Sequence, residues 1–354
     1  MSKQEKIATF DPNGLGAKNG RFLGLPFDEH ESEIVLLPVP WEVTTSYRPG
    51  TATAARNIME ASSQLDLYDP DVPDAWKMGI YLREPDMHWL RLSNELREQA
   101  AHYIYLLEHG HDCDELGTMA AIRDRINRVG EELNAWVKQR CTELLDRGKR
   151  VGLVGGEHSV SLGFLQALQE REESFGLLHI DAHFDLREAY LEFDHSHASV
   201  LYNALSLDRI EQILSIGVRD FCQAERNLAT SLAKRMTTVA DQELRRRMLA
   251  GETFATIIRQ GIDNLPERVY VTFDIDGLDP SLCPNTGTPV PGGLQYQEAI
   301  FILNELVRSG RTIIGFDLVE VAGQGHEWDG NVAARLLYKL AALMGKSQSR
   351  PATP

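Results

Sequence analysis

Asp181, His183 and Asp185 stand at every second position of "LLHIDAHFDLRE" (177–188), so an apolar run ends in two carboxylates and an imidazole. Three other apolar runs end in the same chemistry. "GGEHS" (155–159) carries His158, "RVYVTFDIDGLDP" (268–280) carries Asp274 and Asp276, and "DLVE" (317–320) carries Asp317 and Glu320. Alternate residues of an extended segment point the same way, so each set can converge if its strand continues briefly into the following loop. Four carboxylates (Asp181, Asp185, Asp274, Asp276) and two imidazoles (His158, His183) suit a pair of hard-to-borderline divalent metals. Without a cation, carboxylates so placed repel one another and their pKa values rise. With two, a shared water can be activated near neutral pH. Taken singly, a His-x-Asp near a strand end reads as a surface pair, and Asp279-Pro280 as turn chemistry. The joint pattern outweighs those readings because every motif falls at the same end of an apolar run.

The elements that must position these residues follow from periodicity. Strands are expected at 33–40, cut off by Pro38 and Pro40, and at 150–156, 175–181, 213–218, 268–276 and 311–320. A Pro-Gly turn at 49–50 leads into a helix, and helices are expected from Ile122, near 159–171, near 296–309 and near 331–344. Residues 66–118 show no clean period. Strand and helix alternating in this way implies an α/β fold with a parallel sheet covered on both faces. In such sheets ligands bind beyond the carboxyl ends of the strands, which is where the carboxylates and imidazoles recur. Residues 1–33 read as an N-terminal arm or an early packing segment, 34–345 as one catalytic domain, and 346–354 as a frayed tail.

The bulk properties narrow the partners. The 354 residues carry 36 Lys and Arg against 52 Asp and Glu, a net charge of −16. That balance disfavours nucleic acid and is compatible with a cationic small molecule. Cys113, Cys141, Cys222 and Cys283 are far apart and form no C-x-x-C pair, which argues against a disulfide framework and suits a reducing cytosol. No leader-like apolar core or membrane-length apolar run is read, so a cytoplasmic location is expected.

"GGEHS", "DAHFD" and "FDIDGLDPSLCPNTGTPVPGGL" closely resemble the signature motifs of the ureohydrolase (arginase/agmatinase) family, and the resemblance runs from about Ile34 to Met344. It implies a three-layer α/β/α sandwich, a homo-oligomer (trimer or hexamer), and hydrolysis of a guanidino or formimidoyl group with two divalent ions per subunit, Mn2+ or Ni2+. Nickel would imply metal-loading accessory proteins. Carried over, His158 and Asp185 would hold one ion, His183 and Asp276 the other, and Asp181 and Asp274 would bridge both. Asp185 would also accept a proton, Glu320 would pair with the guanidinium, Thr288 would place a hydroxyl beside it, and His197 (rather than His195) would shuttle a proton to the leaving amine.

Departures from the family pattern fall outside the metal set. Glu157 stands where Asp is usual, Trp41 and Glu42 where many members have Phe and Asp, and Ala52–Ala55 replace a usual Arg-x-Gly-Pro. The arginase-type Asn and Ser of the loop after Asp185 are absent, which disfavours arginine. "PVPWEVTTSY" and "EWDGNVAARLLYKL" resemble the nickel-dependent branch acting on free guanidine, with Trp41 and Tyr47 expected to close on a flat cation. Free guanidine is therefore the leading substrate. Agmatine, whose amine the acidic loop residues Glu188, Glu192 and Asp194 could attract, and guanidino acids such as guanidinobutyrate follow. A catalytically silent structural or sensor homologue and a single-zinc deacetylase are the competing classes.

Overall fold

The computed structural model describes residues 1–111 and 117–349. Its frame is one parallel sheet of eight strands: β1 (Ile34–Val39), β2 (Ile80–Leu82), β3 (Arg150–Gly155), β4 (Phe175–Ile180), β5 (Ile210–Ile216), β6 (Met236–Val239), β7 (Arg268–Asp274) and β8 (Thr312–Val319). The spatial order is β2-β1-β3-β8-β7-β4-β5-β6. The six expected strands are all present. The two added ones, β2 and β6, have three and four residues, too short to show a period. β1 also runs through Pro38, which pairs with Val154. Proline lacks an N–H, but β2 stops pairing at Leu36, so no partner on that side needs one.

Helices cover both faces. In chain order they are α1 (Lys3–Thr9), α2 (Ala54–Ser62), α3 (Met87–Glu108), α4 (Gly117–Asp146), α5 (Leu162–Gln169), α6 (Val200–Ala204), α7 (Gln223–Ser231), α8 (Asp241–Leu249), α9 (Phe254–Ile262), α10 (Tyr296–Arg308) and α11 (Glu327–Gln348). Alternate strand residues divide between two cores. Leu36, Val154, Leu178, Ile180, Val271 and Phe316 face α2, α8, α9, α10 and α11. Val35, Leu37, Val151, Leu153, Leu177 and Tyr270 face α3 to α7. A sheet buried on both sides at a period of two is the α/β/α sandwich expected.

At the ends of the chain, Phe22, Leu23, Leu25 and Phe27 are buried in the first core, so this stretch packs. α11 continues to Gln348 with Ser347 buried, so the chain is still helical over 346–348, where fraying was expected. Ser347 and Gln348 stay because they bond β8: Ile313 N–H donates to Ser347 Oγ, and Gln348 Nε2 donates to Ile313 O. Cys113 and residues 350–354 lie outside the described residues. No helix among the described residues is long and apolar enough to cross a membrane.

The segment without sequence periodicity is held by charge. Lys339 on α11 is 5 % exposed and reaches Asp69 at 2.8 Å and Asp71 at 2.7 Å. Asn304 Nδ2 donates to Asp71, and Tyr338 Oη donates to Leu67 O. The hydrogen bond from Lys339 holds the Asp71 carboxyl below its ordinary 3.8. Lys339→Met should strand two carboxylates and destabilise the fold by about 3 kcal/mol, measured by urea denaturation. A folded-state pKa below the unfolded one contributes stability that is complete above the unfolded value and lost as pH falls through the folded one. Wild-type stability should therefore fall more steeply than that of Asp71→Asn between about pH 5 and pH 2.

Candidate metal centre and substrate cavity

The carboxyl ends of four adjacent central strands, β3, β8, β7 and β4, bring the chemistry together. His158 follows β3, Asp181, His183 and Asp185 follow β4, Asp274 and Asp276 sit at and after the end of β7, and Glu320 follows β8. Convergence does not come from strand pleat continuing into the loops, as alternation suggested. β4 stops at Ile180, and a turn takes over in which His183 N–H donates to Asp181 Oδ1 and Ala182 N–H to Asp276 Oδ1. After β7, Asp276 N–H donates to Asp274 Oδ1 across a 3-10 turn. Asp185 and Glu320 have φ of 54° and 59°, a left-handed backbone that L side chains adopt at a cost.

The donor atoms form two lobes that share one residue. In the first, His158 Nδ1 stands 2.9 Å from Asp185 Oδ2, 3.1 Å from Asp181 Oδ2 and 3.5 Å from Asp274 Oδ2. In the second, His183 Nδ1 stands 3.4 Å from Asp181 Oδ1 and 3.2 Å from Asp276 Oδ2. Asp181 therefore gives one oxygen to each lobe. Burial and the Asp181 charge raise the Asp185 carboxyl to about 6, and burial with Asp276 and Asp181 raises Asp274 well above its ordinary range. Burial pushes Asp181 up as well, but His158, His179 and His183 outweigh it and hold it low.

The inner partners of His158 test whether a metal suits the site. Its Nε2 lies 2.7 Å from Thr272 Oγ1, and that hydroxyl donates its only proton to Asp317 Oδ1 at 2.9 Å. Thr272 must then accept from Nε2–H, which leaves Nδ1 as the nitrogen directed at the carboxylates. Nδ1 is buried and faces three carboxylate oxygens; burial lowers the ring's pKa, but Asp181, Asp185 and Asp274 outweigh it and raise it well above the ordinary 6.5. The carboxylates favour positive charge at that nitrogen, supplied by a proton in the metal-free protein and, once the ring donates its lone pair, by a metal ion, so the donor set fits a metal ion.

Sequence reasoning missed part of this framework. Asp317 is not at the rim. It lies inside β8 opposite Thr272, 0 % exposed, accepting from Tyr270 Oη, Thr272 Oγ1 and Phe273 N–H. His179, within β4, contacts Asp181 Oδ2 at 3.0 Å and Ser215 Oγ at 2.9 Å, so it orients the shared carboxylate. The signal was there: His179 is two residues before Asp181 in a strand that is otherwise apolar.

A cavity of about 380 Å³ opens on the lobes. His158, His183, Asp185, Asp274 and Glu320 line its floor, His197 and Thr288 its walls, and Tyr47, Arg187, Tyr190 and Asp220 are further out in the lining. Glu320 Oε1 accepts from His158 N–H, while Oε2 is buried and unpartnered. Burial and the neighbouring Glu157 raise this carboxyl well above its usual range, a penalty that an incoming cation would relieve. Thr288 Oγ1 donates to Asp276 Oδ2 at 3.2 Å. His197 N–H donates to Thr44 Oγ1, and Thr44 is bonded through N–H and Oγ1 to the buried Glu157. Burial and the nearby His183 lower the His197 pKa to about 3, so its ring is neutral near neutral pH.

Two sequence-based expectations fail on geometry. Trp41 is 1 % exposed, packs edge-on against Trp89 at 6.0 Å and does not line the cavity, because its strand-end position turns it into the second core. His195, set aside in favour of His197, packs against α4 at Gly130 and does not line the cavity. Glu192 and Asp194 also turn away from it: Glu192 accepts from Tyr103 Oη and Arg123, and Asn127 bonds the backbone of both residues.

A family model described as "Arginase family" matches residues 32–343. Among curated proteins, the N(1)-aminopropylagmatine ureohydrolase of Thermus thermophilus is 30% identical over 316 residues, covering 89% of this chain and 91% of that protein. The protein of the same description from Synechocystis sp. is 29% identical over 333 residues, covering 90% and 92%. Among solved structures, the agmatine ureohydrolase of Thermoplasma volcanium superposes with a TM-score of 0.67 at 22% identity, covering 97% of this chain and 98% of that one.

Removing the acceptor behind His158 isolates its effect on the metal lobes. Thr272→Val should leave the fold intact by circular dichroism and weaken metal binding about 10- to 100-fold by competition with a chelator. Unchanged affinity would mean that Thr272 does not set the His158 tautomer.

Proposed function

The chain belongs to the arginase family, and on that premise we propose that it hydrolyses the guanidinium end of a small linear guanidino compound to urea and an amine, using two divalent ions, nickel or manganese. It is a hydrolase of C–N bonds in linear amidines, as its homologues are. The observation that carries the two-ion reading is Asp181, with one oxygen in each lobe. A single zinc would use one lobe and leave the other as unpaired buried charge. A silent homologue has no need of six convergent ligand candidates beside an open Glu320 Oε2.

In this reading His158 and Asp185 would hold one ion and His183 and Asp276 the other, with Asp181 contributing to both and Asp274 completing the set. The ions, when bound, supply a water activated near neutral pH. Glu320 Oε2 accepts N–H bonds from the guanidinium and fixes its plane, and Thr288 adds a hydroxyl at its side. Water adds to the guanidinium carbon, the bond from that carbon to the tail nitrogen breaks, and Asp185 receives a proton from the attacking water. Asp185 passes that proton to the leaving nitrogen, and the second proton of the water reaches the same nitrogen by way of His197, so that urea and an ammonium ion leave.

A substrate with a tail fits this cavity better than free guanidine. The floor carboxylate needs only the planar head, and the remaining lining extends outward to Tyr47, Arg187 and Asp220. Of the two aromatics expected to close on free guanidine, Tyr47 lines the cavity and Trp41 does not, so free guanidine stands second. The test is urea release from guanidine, agmatine, arginine, guanidinopropionate and guanidinobutyrate by separately nickel- and manganese-loaded protein, with metal content measured alongside. About two ions per chain and urea from at least one substrate are expected, and Glu320→Gln should lower kcat/KM about a hundredfold. Silence of both loaded forms on every compound would refute the reading.

A further inference from the structure

We propose that Arg187 is the specificity-determining residue of the cavity and binds a carboxylate on the substrate's tail, so that this chain acts on ω-guanidino acids in preference to agmatine. The inference rests on the hydrolytic reading of the same cavity and adds the chemistry of the far end.

Arg187 follows Asp185 by two residues and lines the cavity with its side chain 37 % exposed. Among the described residues its guanidinium makes no hydrogen bond. Its nearest charge, Glu225 Oε2, is 3.7 Å from Nε, and the Glu225 oxygens already accept from Leu186 N–H and Cys222 N–H. The two terminal nitrogens therefore form an open fork, the geometry that takes a carboxylate through two parallel bonds.

The fork is held in place. Arg187 N–H donates to Ala198 O, and the guanidinium carbon lies 4.6 Å from the centre of the Tyr190 ring. Tyr190 is fixed in turn by a tight turn, bonding Phe193 in both directions. The central residues of that turn, Leu191 and Glu192, have φ of 55° and 63° without being glycine, a conformation costing about 1–3 kcal/mol each. It is held by Glu192 accepting from Tyr103 Oη and Arg123, and by Phe193 buried against the Tyr103 ring at 5.3 Å. A guanidinium fixed on a strained loop loses little freedom when it binds.

The competing receptors are two carboxylates of the same lining, the exposed Asp220 and the buried Glu225 beside Arg187, which would favour an amine tail. An ammonium there would share the cavity with the Arg187 charge, whereas a carboxylate would be attracted to it.

The experiment compares 4-guanidinobutyrate with agmatine, matched in length and opposite in tail charge, on metal-loaded wild type, Arg187→Gln, Arg187→Lys and Asp220→Asn. The wild type should favour the acid at least tenfold in kcat/KM. Arg187→Gln should cut that ratio about ten- to hundredfold through KM for the acid, with Arg187→Lys in between because an ammonium cannot form the fork. Metal content and melting temperature identify a misfolded variant, and calorimetric binding of 4-guanidinobutyrate to wild type and Arg187→Lys then decides the matter without the glutamine variant. An unchanged ratio in Arg187→Gln would overturn the proposal, as would a wild-type preference for agmatine that Asp220→Asn removes. Absence of urea from both compounds and from guanidine would instead count against the hydrolytic reading beneath it.

Discussion

Asp181, Asp185, Asp274, Asp276 and Glu320 are all at most 5 % exposed and crowd one end of a dry sheet. Like charges at that density repel, and burial removes the water that would screen them. The surroundings counter this with dipoles aimed at the oxygens: the backbone N–H groups of Ala182, His183, Asp276 and His158 each donate to one of them. Imidazoles supply the rest of the counter-charge. The remaining deficit is of the kind a cation fills, and the left-handed backbones of Asp185 and Glu320 show local conformational cost accepted for the same arrangement.

The rigidity that holds such a cluster lies one layer down. Tyr270, Thr272 and Phe273 on β7 and Asp317 on β8 form a polar knot between two apolar cores. Asp317 accepts from three donors, one of them the Thr272 hydroxyl, so Thr272 is fixed, and through it the His158 ring. His179 performs the matching task for Asp181 from the neighbouring strand. These residues touch no cavity, yet they set the direction of those that do.

Ligand identity was legible in the sequence because metal chemistry demands residue types that are rare at the ends of apolar strands. Asp181, His183, Asp274 and Asp276 announced themselves by type and spacing together. The inner framework was harder to read. Asp317 belongs to the same string of letters as Glu320, and only the register opposite Thr272 separates a buried strut from a residue at the cavity floor. Trp41 could not be placed, since an aromatic at a strand end serves a pocket or a core equally well on paper. The loop after Asp185 misled for a third reason: its acidic residues read as a charged patch, while Glu192 and Asp194 are spent on α3 and α4, elements whose contact with the loop is long-range.

The strand order has a temporal side. The first three strands make one half-sheet, β2-β1-β3, and the next three another, β4-β5-β6. They share no ladder until β7 and β8 enter between them. One half carries His158 and the other Asp181, His183 and Asp185. During synthesis the ribosome therefore releases two incomplete fragments of the metal centre with exposed inner edges, and the last two strands both close the sheet and complete the ligand set. The candidate ligands of both lobes therefore stand together only once β7 is in place between the two half-sheets.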